Sequence, residues 1–168
     1  MKFVFIDIDG TISDIRHRQH LALSGAWDEF HSMMSKDTVR KQVLDFIQLL
    51  PEETVISFLT GRPDEYRAMT KIWLEENCCL YEDDDYCALL MRPQGDFSSD
   101  PILKENLISE FFRREDIANE FVYAGMQVQH MDEDEIKSCC LILDDRDKVV
   151  AHLRDIGYEV WQVNEGTY

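Results

Sequence analysis

Three apolar runs in this chain each end abruptly in a polar signature, and that pattern narrows the folds open to it. Phe3-Val4-Phe5-Ile6 runs into Asp7-Ile8-Asp9-Gly10-Thr11-Ile12, Thr54 to Leu59 into Thr60-Gly61-Arg62-Pro63, and Cys140 to Leu143 into Asp144-Asp145-Arg146. Unbroken apolar runs are what strands covered on both faces of a parallel sheet look like. Two further strands are expected at Cys87–Met91 and Tyr158–Val163. Between them lie stretches of helical period. Val39, Val43, Phe46, Ile47 and Leu50 follow Asp37 as N-cap and stop at Pro51; Tyr66, Met69 and Trp73 follow Pro63 as the buried face of a second helix. Leu103, Leu107 and Phe111 mark a helix capped by Ser99 or Asp100 and running to about Phe112, and Val149, Val150 and Leu153 mark another, closed by Gly157. Strands alternating with helices give an α/β fold, a Rossmann-like parallel sheet of about five strands. The three signatures then share one sheet edge, where open α/β sheets bind their ligands.

Two carboxylates as close as Asp7 and Asp9 repel one another unless a cation neutralises them, and a hard ion such as Mg²⁺ suits oxygen ligands. On that fragment alone an acidic turn fits equally well. The net charge of −17, from Lys+Arg 17 against Asp+Glu 34, opposes broad binding to nucleic acid, which needs basic surface. Two acidic runs, Glu82-Asp83-Asp84-Asp85 and Asp132-Glu133-Asp134-Glu135, read as solvated loop or helix-end acid; neither has the glycine and closing glutamate of a calcium loop. The 5 cysteines include two vicinal pairs and no Cys-x-x-Cys, so neither a disulfide framework nor a zinc site is expected. A reducing, cytoplasmic setting follows. No signal peptide and no membrane span are read in the chain.

At 168 residues a single domain, 1–168, is expected, with a small helical insert over residues 20–36. Residues 114–138 have no clear period and are treated as an insertion, a cap or an extended crossover. The histidines His17, His20, His31, His130 and His152 are scattered and make no zinc motif, and Ser57 and Ser98 lack a nucleophile-elbow context. Trp27, Trp73 and Trp161 sit in apolar patterns and read as core, Trp27 least clearly because it lies in the insert near the cleft.

Asp-x-Asp-Gly-Thr, then Thr-Gly-Arg after a strand, then a lysine on a helix, then Asp-Asp after a strand, resembles the haloacid dehalogenase superfamily of phosphohydrolases. The spacing from Asp7 to Arg18, Arg62, the pair Asp100 and Lys104, Asp144-Asp145-Arg146 and the ending Trp161-Gln162-Val163 are similar to the phosphatase half of the phage-type polynucleotide kinase–phosphatases. The likeness lapses around Tyr81 to Tyr86 and Arg114 to Ser138, and no Gly-x-x-x-x-Gly-Lys phosphate loop is present, so no kinase activity is expected.

The resemblance implies a Mg²⁺-dependent phosphomonoesterase acting through an aspartyl-phosphate. Asp7 is implied as nucleophile and Asp9 as general acid, then base. The ion is implied on the Asp7 carboxylate, the Asp9 carbonyl and Asp144, with Asp145 a further candidate. Thr60 would hydrogen-bond a phosphoryl oxygen, and Lys104 would offset the charge of nucleophile and phosphate. Arg18, Gly61 and Arg62 are implied at the substrate phosphate, and Asp100 as the group orienting the lysine or an arginine. Arg146 reads as a partner for surface acids. The expected substrate is the 3′-phosphate of a nucleotide or a nucleic acid end, without long-duplex binding. A phosphatase for free mononucleotides or another small metabolite shares this chemistry. A non-catalytic binding module is disfavoured because Asp7, Asp9 and Lys104 are all present.

Overall fold

The structure is a computed structural model in which residues 2–78, 87–113 and 131–166 are described. Five strands form the main sheet: β1 (Phe3–Ile6), β4 (Val55–Pro63), β5 (Cys87–Arg92), β6 (Cys140–Arg146) and β7 (Glu159–Gly166). Their order is β5-β4-β1-β6-β7 and every pairing is parallel. β1 therefore lies at the centre. It pairs Ile6 with Phe58 on one side and with Leu143 on the other, so its end meets the ends of β4 and β6.

Successive side chains of a strand point to opposite faces. Phe3 and Phe5 pack with Leu103, Leu107, Ile108 and Phe111 of α5 (Asp100–Arg113) and with Val149, Val150 and Leu153 of α7 (Asp147–Asp155). Val4 and Ile6 pack with Val43 and Ile47 of α3 (Lys41–Gln48) and with Trp73 and Leu74 of α4 (Arg67–Cys78). Apolar residues on both faces are why these strands read as unbroken runs.

Between β1 and α3 the chain makes a short antiparallel pair, β2 (Ser13–Asp14) with β3 (Thr38–Val39). The segment joining them holds α1 (Gln19–Ser24), α2 (Trp27–Ser32) and one 3₁₀ turn, closed over a small core of Ile15, Leu21 and Phe30.

Three local expectations need correction, while the acidic run at Asp132 is helix-end acid as expected. Asp37 does not cap α3; that helix starts at Lys41, and Thr38-Val39, β-branched and therefore strand-prone, intervenes. Pro63 ends β4 rather than opening α4, which starts at Arg67 after a 3₁₀ turn. That shifts the helix phase and leaves Met69 exposed and Tyr66 only half-buried. Trp161 is half-exposed against Phe46 rather than core. The run Asp132–Glu135 opens α6 (Glu133–Cys139) through a capping box, Asp132 accepting from the Glu135 amide and Glu135 from the Asp132 amide. The run Glu82–Asp85, Cys79 and residues 114–130 lie outside the described residues.

Candidate active site

At the end of β1 the chain leaves the sheet at Asp7, whose amide still donates to the Leu143 carbonyl of β6 at 2.9 Å. Gly10 then turns with φ 92°, a left-handed value that a side chain would strain. The Ser13 amide closes the loop on the Ile8 carbonyl at 2.9 Å. This turn presents Asp7 and Asp9 at the sheet edge.

Lys104, near the start of α5, is buried with both Asp7 and Asp144 against it. Its Nζ donates to Asp7 Oδ1 at 2.6 Å and to Asp144 Oδ2 at 2.5 Å. Burial would favour the neutral amine, but Asp144 and Asp7 outweigh it and keep Lys104 protonated. One lysine does not satisfy the whole cluster. Burial, helped by Asp144 and Asp145 against the pull of Lys104, pushes the Asp7 carboxyl up to about 8. Carboxylate oxygens of Asp7, Asp144 and Asp145 lie within 4.8 Å of one another, and Asp7 Oδ2 is buried with no hydrogen-bond partner. A buried carboxylate oxygen with no donor is costly, and Asp7, Asp144 and Asp145 together offer three hard oxygen donors that fit a divalent ion of the Mg²⁺ kind.

Asp9 faces a different set of charges. Arg62 grips it with Nε to Oδ2 at 2.8 Å and Nη2 to Oδ1 at 2.7 Å, and Arg18 Nη2 donates to the same Oδ1. Burial would raise the Asp9 carboxyl, but Arg62 and Arg18 hold it well below the usual carboxylate range. Both guanidiniums are fully buried. Behind them stands Asp37, likewise buried. It accepts from Arg18 Nε at 2.7 Å, from Arg62 Nη2 at 3.4 Å and from Ser13 Oγ at 2.7 Å, and meets His17 Nε2 at 2.9 Å. Phe30 lies under the Arg18 guanidinium, 4.0 Å from ring centre to Cζ.

A small open cleft lies over these groups, lined by Asp7, Asp9, Thr60, Gly61, Asp100 and Arg146, with Ala22, Trp27 and Phe30 from the insert. Thr60 is fully buried and its Oγ1 accepts from the Arg62 amide at 3.2 Å. Asp100 approaches Gly61 so closely that a Cβ there would sit 3.2 Å from its Oδ1. Asp100 accepts from Arg92 Nη2 at 2.5 Å and from Arg146, so it orients two arginines and not Lys104. Arg92 also donates to the carbonyls of Gly61, Asp96 and Ser98, fixing the loop before α5.

The sequence-selected residues Asp7, Lys104, Asp144 and Asp145 thus meet at one point, with Asp9 beside it and Thr60, Gly61 and Asp100 in the wall. Arg18 and Arg62 are adjacent, but they are engaged by Asp9 and Asp37 and neither lines the cleft. Three residues were not picked out. Asp37 reads as a helix cap, and the strand-prone Thr38-Val39 after it was the available sign against that. Arg146 reads as a partner for surface acids, and Trp27 as core, though least clearly of the three tryptophans. Their places depend on how the insert and the β6 end fold together, which no spacing reports.

An acid at the tip of the central strand, a second acid two residues on, and a lysine and further acids on neighbouring elements define a phosphatase of the haloacid dehalogenase type. A family model of the polynucleotide kinase PNKP phosphatase domain matches residues 1–168, and the chain belongs to that family. A protein of Autographa californica nuclear polyhedrosis virus, named "Putative bifunctional polynucleotide kinase/RNA ligase", is 27% identical over 112 residues, covering 66% of this chain and 15% of that protein. Two solved structures, of the Pnkp1/Rnl/Hen1 RNA repair complex and of a Pnkp1/Rnl/Hen1 complex, contain similar chains. Both are 25% identical over 99% of this chain, with TM-scores of 0.67 and 0.65, and this chain covers 43% and 47% of them. It therefore spans less than half the length of each of these relatives. No helix among the described residues is long and apolar enough to cross a membrane.

Proposed function

We propose that this domain removes the terminal 3′-phosphate from a nucleotide or nucleic acid end, with Mg²⁺ as cofactor. The observation that carries the reading is the partnerless Asp7 Oδ2 at the cleft floor, beside an Asp9 fixed by two arginines. Membership of the polynucleotide kinase phosphatase-domain family, and the naming of its relatives as polynucleotide and RNA repair proteins, supports the substrate class.

Asp7 Oδ2 attacks phosphorus, the ester P–O bond breaks, and Asp9 gives its proton to the leaving alkoxide. Water then attacks the aspartyl-phosphate while Asp9 takes its proton, and inorganic phosphate leaves with Asp7 restored. Phosphate monoesters are among the slowest bonds to hydrolyse unaided, so positioning must supply most of the acceleration. Lys104 is positioned against Asp7 to balance the charge gathered there. Thr60 offers its hydroxyl to a phosphoryl oxygen. Arg18 and Arg62 hold Asp9 in place from behind, and Asp37 holds the arginines. Asp9 is ionised in the resting site, so the proton it gives is one taken up from water or from the monoanionic phosphate as the substrate's negative charge raises its proton affinity. Asp7 and Asp144, with Asp145 and the Asp9 carbonyl, would hold Mg²⁺, which supplies Lewis-acid neutralisation of nucleophile and phosphate.

A substrate panel tests this. A 3′-phosphorylated oligonucleotide and a simple aryl phosphate are expected to release phosphate with Mg²⁺ and not with chelator, the oligonucleotide with the higher kcat/KM. Turnover of mononucleotides with inert oligonucleotides would move the substrate to free nucleotides. No phosphate from any substrate would leave a binding module.

A further inference from the structure

Trp27 stands where the core does not need it. Ile15, Leu21 and Phe30 close the insert's core at 3%, 8% and 4% exposure, while Trp27 beside them is 50% exposed and lines the cleft with Asp7 and Asp9. Its ring is nonetheless fixed. It meets the edge of Phe30 with centroids 5.8 Å apart, and lies over His31 at 6.4 Å with the planes 28° apart. His31 in turn lies against Tyr66 at 4.8 Å. Burial keeps that imidazole neutral at physiological pH, its pKa lowered to about 4, so the run Trp27–His31–Tyr66 is an aromatic stack without a buried charge.

A rigid, half-exposed indole beside a phosphoryl-transfer centre suits a planar group joined to the phosphate. Stacking serves any nucleobase, because every base has a π face. It also suits a chain of net charge −17, which has little general attraction for a phosphate backbone. We propose that Trp27 is the stacking platform for the base of the nucleotide that carries the scissile phosphate. This rests on the nucleic-acid-end reading and adds the group that recognises the nucleoside.

The test compares wild type, Trp27→Ala and Trp27→Phe on a 3′-phosphorylated oligonucleotide, on the same oligonucleotide ending in an abasic 3′-phosphate, and on an alkyl phosphate without a ring. Trp27→Ala should raise KM for the normal end by about 10-fold with kcat nearly unchanged, and Trp27→Phe should recover most of the loss. On the abasic end and the alkyl phosphate, the three proteins should be alike, which also shows that the variants are folded. Equal losses on normal and abasic ends, or no loss on either, would overturn the stacking while the nucleic-acid-end reading stands. Turnover of the alkyl phosphate alone by the wild type would overturn that reading, and the stacking with it.

Discussion

Asp37 carries more of the site than its place in the sequence suggests. It never touches the cleft, yet it accepts hydrogen bonds from both arginines that fix Asp9. Removing one partner of a buried ionic network leaves the others uncompensated. Asp37→Ala should therefore cost about 3–5 kcal/mol in urea unfolding and lower kcat; unchanged stability would show that Asp9 alone suffices for the arginines. Asp7 is the opposite case. Its carboxyl is raised to about 8, above its unfolded value, so the stability it lends is fully present below the unfolded pKa and is lost as pH rises through about 8. A divalent ion held by the ionised form would offset the loss. Mg²⁺ should raise Tm more at pH 8 than at pH 5.5, and Asp7→Asn should remove most of that difference along with turnover. An equal Mg²⁺ shift in the Asn variant would place the ion elsewhere.

The strands were legible in the sequence where burial on both faces made them uniformly apolar: β1, and the first parts of β4 and β6. Their polar ends were not, because Thr60-Gly61-Arg62 and Asp144-Asp145-Arg146 remain in strand conformation and look like loops. α5 was legible as a stripe of Leu103, Leu107 and Phe111, although Ile108 beside them is also fully buried. Ile108→Ala should cost about 2–5 kcal/mol by cavity formation, read from unfolding curves; a cost near zero would mean that α5 is not seated against β1 as described. The insert was legible only as helical. Which of its side chains reach the cleft depends on tertiary packing with β2, β3 and α4. Hence Arg18 enters only through the family resemblance, whereas Asp37 reads as a helix cap and Trp27 as the least clear of the core tryptophans.

Taken whole, the domain is strongly acidic, yet Lys104, Arg18, Arg62 and Arg146 gather at one sheet edge, Arg146 in the cleft wall and the other two arginines behind Asp9. On the proposed reading one phosphate docks beside these groups, while over the whole chain acid outnumbers base, 34 Asp+Glu against 17 Lys+Arg. KM for a 3′-phosphorylated oligonucleotide should thus depend weakly on salt, far less than the roughly thousand-fold or greater loss between about 50 and 200 mM expected when several backbone phosphates are contacted. A steep dependence would reveal a basic track outside the site. The central claim is that Asp7 takes the phosphoryl group. Acid quench of Asp9→Asn during reaction with an aryl phosphate, whose leaving group needs no proton donor, followed by mass spectrometry of the protein, addresses it most directly. The account predicts one phosphoryl group on Asp7, retained because the residue that activates water is gone. Phosphate release with no adduct on the protein, or an adduct on another residue, would contradict it.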